Sequence, residues 1–188
     1  MRKWHNHNSS ALKRKLLIFD FDDTIASTEC KVIIRYPDGS SEKMSTEDFK
    51  NHQKKEANEY DFSEFEKVIN PKVNDDIVSI IRHAVDARSY RDEIIVLTAR
   101  QSASRPAVKT FLSSLGLNVP KSIELVTLDD SRAQAKADWV EKKIKAGITE
   151  ILFMDDSRAN VEAVRYLFKR YPQVIIDARE VSHAEEAF

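Results

Sequence analysis

Residues 16–24 read Leu16-Leu17-Ile18-Phe19-Asp20-Phe21-Asp22-Asp23-Thr24. Four consecutive apolar residues without alternation mark a strand buried on both faces, the pattern of a parallel sheet covered on either side. Runs of the same type recur at Ile94-Ile95-Val96-Leu97, Ile123-Glu124-Leu125-Val126, Ile151-Leu152-Phe153-Met154 and Val174-Ile175-Ile176. Helical patterns lie between them. Ile77, Ile80, Ile81, Ala84 and Val85 follow the spacing of one buried helix face. Ser104 is placed to cap a second helix, with Pro106 in its first turn, an apolar stripe of Val108, Phe111, Leu112 and Leu115, and Gly116 at its end. Trp139, Val140 and Ile144 suggest a third helix ended by Gly147; Ser157 is placed to cap a fourth, with Val161, Val164 and Phe168 inward. Strands alternating with helices predict an α/β fold, a parallel sheet of about five strands with helices on both faces.

Residues 25–70 break the alternation, being polar with few apolar runs. Lys31-Val32-Ile33-Ile34-Arg35-Tyr36 leads into Pro37-Asp38-Gly39-Ser40, a strand and turn that predict a hairpin. Ser45-Thr46-Glu47-Asp48 is an approximate helix-capping signal. The segment reads as a small insertion over the end of the first strand, where open α/β sheets bind ligands.

The 188 residues suit one domain, here 15–188 after a basic N-terminal tail at 1–14. Lys+Arg 30 against Asp+Glu 31 gives a net charge of −1, and 41% hydrophobic with 32% charged residues excludes collagen, an acidic disordered tail and a membrane-embedded bundle. The single Cys30 excludes an intramolecular disulfide and any multi-cysteine metal site. No apolar run approaches membrane-spanning length, and the N-terminus lacks the apolar region of a secretory signal, so the expectation is a cytoplasmic protein with no membrane partner. Arg2, Lys3, Lys13, Arg14 and Lys15 stand near the start with no acid among them, leaving 25 basic against 31 acidic residues elsewhere. They read either as a solvated tail or as an arm attracted to nucleic acid. His5 and His7, set among Asn and Ser, read as surface residues.

Three strand ends carry polar residues: Asp20-Phe21-Asp22-Asp23-Thr24, Thr98-Ala99-Arg100 and Asp155-Asp156-Ser157. Carboxylates gathered after apolar strands repel one another unless a cation neutralises them. A hard divalent ion, magnesium above all, suits two or three such oxygen donors and water. A helix N-cap would explain any one of these acids but not the set.

Asp20-Phe21-Asp22-Asp23-Thr24 after its apolar run resembles motif I of the haloacid dehalogenase-like superfamily, Asp-x-Asp-x-Thr. Ile94 to Thr98 is similar to motif II, Phe153-Met154-Asp155-Asp156 to the paired-acid form of motif IV, and Lys136 best fits the motif III lysine, ahead of Lys142 and Lys143. The resemblance spans about residues 16–177 and implies a Rossmann-like fold and a magnesium-dependent phosphotransferase. Asp20 would attack phosphorus and form an aspartyl-phosphate. Asp22 would protonate the leaving oxygen and then deprotonate water. Thr98 and Lys136 would bind the phosphoryl oxygens. Asp155, assisted by Asp156, would complete the magnesium site with Asp20 and the backbone carbonyl of Asp22. Thr24 would brace the motif I loop, where Asp23 replaces a frequent Gly. Asn160 is either a partner of the acidic loop or a first-turn helix residue. Arg100 and Arg158 are each either a phosphate neighbour or a surface ion pair.

The short spacing from Thr98 to Lys136 leaves no room for a large second cap, which resembles capless or small-capped members acting on bulky substrates. Asp61-Phe62-Ser63-Glu64-Phe65, Asn70-Pro71 and Asp155-Asp156-Ser157-Arg158-Ala159-Asn160 are similar to phage and RNA-repair-like members and to the phosphatase half of polynucleotide kinase. No kinase P-loop is present. The expected substrate is a phosphomonoester, including a 3′ or 5′ phosphate on a polynucleotide end, its backbone attracted by Arg100, Arg105, Lys109 and the basic tail. The alternatives are a mononucleotide or sugar-phosphate phosphatase, and a non-catalytic binding module, which would not need all of Asp20, Asp22, Thr98, Asp155 and Asp156.

Overall fold

The computed structural model describes residues 13–182 apart from 54 and 57. His5, His7, Arg2 and Lys3 lie outside the described residues. In chain order the elements are β1 (Lys15–Phe19), β2 (Ala26–Ser27), β3 (Val32–Arg35), β4 (Ser41–Met44), α1 (Thr46–Asn51), β5 (Glu59–Asp61), β6 (Lys72–Val73) and α2 (Asp75–Ala87). There follow β7 (Glu93–Thr98), α3 (Arg105–Ser114), β8 (Glu124–Thr127), α4 (Ala133–Lys145), β9 (Glu150–Asp155), α5 (Arg158–Arg165) and β10 (Ile175–Glu180). Short 3₁₀ turns cover 63–66, 102–104 and 166–169.

The main sheet is parallel, with strand order β10-β9-β1-β7-β8. Alternate strand residues feed two cores. Leu16, Ile18, Ile95, Leu97, Ile151 and Phe153 pack against Ala137, Val140 and Ile144 of α4 and Val161 and Val164 of α5. Phe19, Ile94, Val96, Leu125 and Met154 pack against Ile77, Val78 and Ile81 of α2 and Val108 and Leu112 of α3. Two apolar faces explain the unbroken apolar runs, and each large side chain removed from water contributes about 1.5–3 kcal/mol.

Chain direction places the site. From β1 the path runs outward through α2, β7, α3 and β8. Then α4 returns it past β1 to β9, and α5 leads on to β10. The strand order therefore reverses beside β1, between helices that lie on opposite faces. A crevice opens at the carboxyl ends of strands at such a reversal. Asp20 follows β1 directly, and Asp155 and Thr98 are the last residues of β9 and β7.

The insertion leaves and rejoins through an antiparallel pair, Ala26 opposite Val73 and Ser27 opposite Lys72. Beyond it, β3 pairs with both β4 and β5 in a three-stranded antiparallel sheet. Gly39 takes φ +85 in the β3–β4 turn, a conformation glycine adopts without steric cost. Ser45 caps α1 by accepting from the Asp48 amide at 3.1 Å. Cys30, Val32 and Ile34 are the insertion's buried apolar residues, and Phe49, Tyr60, Phe62 and Phe65 make a chain of edge-on and tilted ring contacts that are only partly covered.

Local departures from the sequence reading have physical causes. Ile80, expected on the buried face of α2, is 38% exposed, because Ile77, Val78 and Ile81 form the stripe. Phe168, expected inward, is 51% exposed while Leu167 is buried. The helix tightens to 3₁₀ at Tyr166, which advances each residue further around the axis than an α-helix does. Neither Ser104 nor Ser157 caps its helix through the side chain. Ser104 is already helical and its hydroxyl donates to the Gln101 carbonyl at 2.7 Å.

Lys13 and Lys15 pair with Glu150, and Arg14 with Glu93. These contacts gather at the amino ends of the strands, about 16 Å of extended chain from Asp20. Among the described residues no helix is long and apolar enough to cross a membrane.

Candidate active site

The centre is a buried lysine between two carboxylates. Lys136 lies in the first turn of α4 and its ammonium donates to Asp20 Oδ1 at 2.5 Å and Asp155 Oδ2 at 2.6 Å. Helical side chains lean toward the helix N-terminus, so the stem from this turn reaches back to the strand ends. Lys136 is 2% exposed, Asp20 5% and Asp155 0%. Lys143 lies elsewhere, paired at 2.5 Å with Glu93 at the amino end of β7. Lys136 is thus the motif III candidate that the fold brings to Asp20.

Further bonds fix Asp155. The Ser157 amide donates to its Oδ1 at 2.9 Å, and the Asn160 amide group donates to Oδ1 and Oδ2 at 2.9 and 3.1 Å. Asn160 belongs to the acidic loop's bonding rather than to the helix alone. Thr24, fully buried, accepts from the Asp156 amide at 3.0 Å and so ties the loop after β1 to the loop after β9. Asp23, in the loop after β1, holds φ +56, the left-handed region where Gly is freest and Asp is tolerated.

Asp20, Asp155 and Asp156 each offer a carboxylate oxygen, all within 4.8 Å of one another, and the Lys136 ammonium pairs with the first two. Burial pushes Asp20 up to about 8, opposed by Lys136 and reinforced by Asp155 and Asp22. Burial alone would depress Lys136, but Asp20 and Asp155 outweigh it and hold the ammonium protonated above its ordinary range. Three carboxylate oxygens at this spacing fit a hard divalent cation.

The Asp22 side chain stands apart from that cluster. Both its oxygens face Arg100, accepting from Nε at 2.8 Å and Nη2 at 2.7 Å. Arg100, expected near a bound phosphate, is buried and also donates to the carbonyls of Phe65 and Lys67. Its guanidinium is committed within the protein, and Asp22 raises its pKa against the effect of burial. Thr98 is fully buried at the end of β7, its hydroxyl accepting from the Arg100 amide at 3.2 Å. Arg105, Lys109 and Arg158 are exposed. The sequence pointed to neither Thr28 nor the carbonyls of Phe65 and Lys67 as partners of Arg100, since they lie 33 to 72 residues away.

Comparisons with protein-family models, curated proteins and solved structures returned no match.

Proposed function

We propose that this chain is a magnesium-dependent phosphomonoesterase of the haloacid dehalogenase-like kind, working through an aspartyl-phosphate on Asp20. The observation that carries the reading is the convergence of Asp20, Asp155 and Asp156 within 4.8 Å at the reversal of strand order, the first two paired with one buried ammonium. Asp20, Asp155 and Asp156 would hold the ion through carboxylate oxygens, with the backbone carbonyl of Asp22 as a further donor. When bound, magnesium supplies charge neutralisation and polarisation of phosphoryl oxygen.

This chain's residues do the rest. A carboxylate nucleophile must be ionised, and Lys136 at 2.5 Å favours that form of Asp20 against the opposing effect of burial. Attack on phosphorus forms the Asp20–phosphoryl bond and breaks the ester bond. Asp22 gives a proton to the departing oxygen, then takes one from the water that cleaves the acyl phosphate. Thr98 and Lys136 stabilise charge on the phosphoryl oxygens. Asn160 and the Ser157 amide hold Asp155 in place.

The substrate reading is a terminal phosphate on a polymer such as a polynucleotide. It is supported by the short insertion and by exposed Arg105 and Lys109 at the start of α3. Phosphate release from an aryl phosphate tests the activity: turnover requires magnesium, stops in excess chelator and returns when magnesium is restored. Full turnover in chelator contradicts the metal assignment, and no turnover on aryl, nucleotide, sugar or oligonucleotide phosphates contradicts the activity.

A further inference from the structure

Arg100 is built into the protein more tightly than an ion pair with Asp22 requires. Its side chain is 2% exposed, whereas that of Asp22 is 32% exposed. Nε and Nη2 grip both oxygens of Asp22, Nη1 donates to the carbonyls of Phe65 and Lys67, and Nη2 also reaches Thr28 Oγ1 at 3.2 Å. The rings of Phe21 and Phe65 lie 5.1 and 5.5 Å from the guanidinium carbon. Phe65 and Lys67 belong to the 3₁₀ turn of the insertion and its exit. Cys30 bonds to the Glu64 and Lys67 carbonyls, and the Lys31 amide donates to Glu64 Oε2 at 2.9 Å, fastening the lead into β3 to the same turn.

Resting on the role given above to Asp22, we propose that Arg100 is a positioning residue that orients the Asp22 carboxylate and ties that orientation to the seating of the insertion. A carboxylate held at one oxygen can rotate about its bonds; a two-point guanidinium fork fixes the plane as well as the position. The opposite edge of the fork is held by two insertion carbonyls, so displacement of the turn must disturb the grip on Asp22. Lysine offers a point charge without the fork and cannot serve both sides at once.

The test compares Arg100→Lys, Asp22→Asn and the double variant on an aryl and an alkyl phosphate with magnesium. It is joined to hydrogen exchange at the Phe65 and Lys67 amides, which bond to the Phe62 and Glu64 carbonyls at 3.0 Å. Arg100→Lys is expected to lower kcat on the alkyl ester roughly tenfold or more, part of the ~10²–10⁴ that acid–base catalysis supplies, with a smaller loss on the aryl ester and little change in KM. The double variant should be no slower than Asp22→Asn alone, because both act through one carboxylate. Asp22→Asn should speed exchange at Phe65 and Lys67. Equal losses on both esters, additive losses in the double variant, or unchanged exchange in Asp22→Asn would each overturn the proposal. If wild-type protein hydrolyses no phosphate ester, the functional reading fails, while the exchange experiment still decides whether Asp22 and the insertion are coupled.

Discussion

Replacing Lys136 by Met keeps most of the unbranched side chain and removes its charge, leaving Asp20 and Asp155 buried without their ammonium. Each contact, at 2.5 and 2.6 Å, is worth about 6 kcal/mol of attraction at an effective dielectric constant near 20. Desolvating the ammonium cancels much of this, and breaking such buried pairs by removing one partner costs about 3–5 kcal/mol. The cost depends on pH. Asp20 is raised from 3.8 to about 8, with Lys136 opposing the rise, so the variant's Asp20 is pushed higher still. A folded carboxyl with a raised pKa binds more protons than the unfolded chain between the two values, so stability falls as pH increases through that window. The wild type carries this slope up to about pH 8 and the variant carries it further. Urea denaturation in chelator at pH 6, pH 8 and pH 9 should therefore show a deficit for Lys136→Met of about 3–5 kcal/mol that is level below pH 7 and widens above pH 8, where only the wild-type Asp20 ionises. A deficit below about 1 kcal/mol at pH 8, or one that does not widen from pH 8 to pH 9, would refute the description of Lys136 as the charge that holds the two carboxylates together.

Asp20→Asn should abolish phosphate release while leaving the fold intact and its stability unchanged or up to about 1 kcal/mol higher, since it removes one of two carboxylates that share an ammonium; turnover and urea midpoints check both. Lys143→Ala should keep phosphatase activity, because its partner Glu93 lies at the far end of the sheet; a kinetic assay beside Lys136→Ala measures the contrast. A terminally phosphorylated oligonucleotide should give a higher kcat/KM than its mononucleotide, with an advantage that fades as salt increases. A mononucleotide preference at all salts would favour a small-molecule substrate.

The sheet was legible because apolar strand runs and the 3.6-residue helix pattern are local signals. Asp20, Asp155 and Asp156 were legible too, standing at strand ends that the order of elements assigns to one edge, whereas Lys136 was reached through the motif resemblance. Phe168 was misplaced because nothing before it announces the change from α to 3₁₀ winding at Tyr166. Arg100 was harder for a different reason. Its position just past β7 indicates the right end of the sheet, but its bonds go to carbonyls of a polar insertion, and a backbone acceptor leaves no mark in the sequence. The Ser157 amide on Asp155 was hidden in the same way, behind a residue that reads as an ordinary cap.

The most direct measurement is an acid-quenched single turnover with a substrate carrying a radiolabelled phosphoryl group, in magnesium, followed by peptide mapping. Label should appear and decay on the peptide carrying Asp20 and be absent in Asp20→Asn. Phosphate release by wild type with no labelled peptide at any time, or continued turnover in Asp20→Asn, would contradict it.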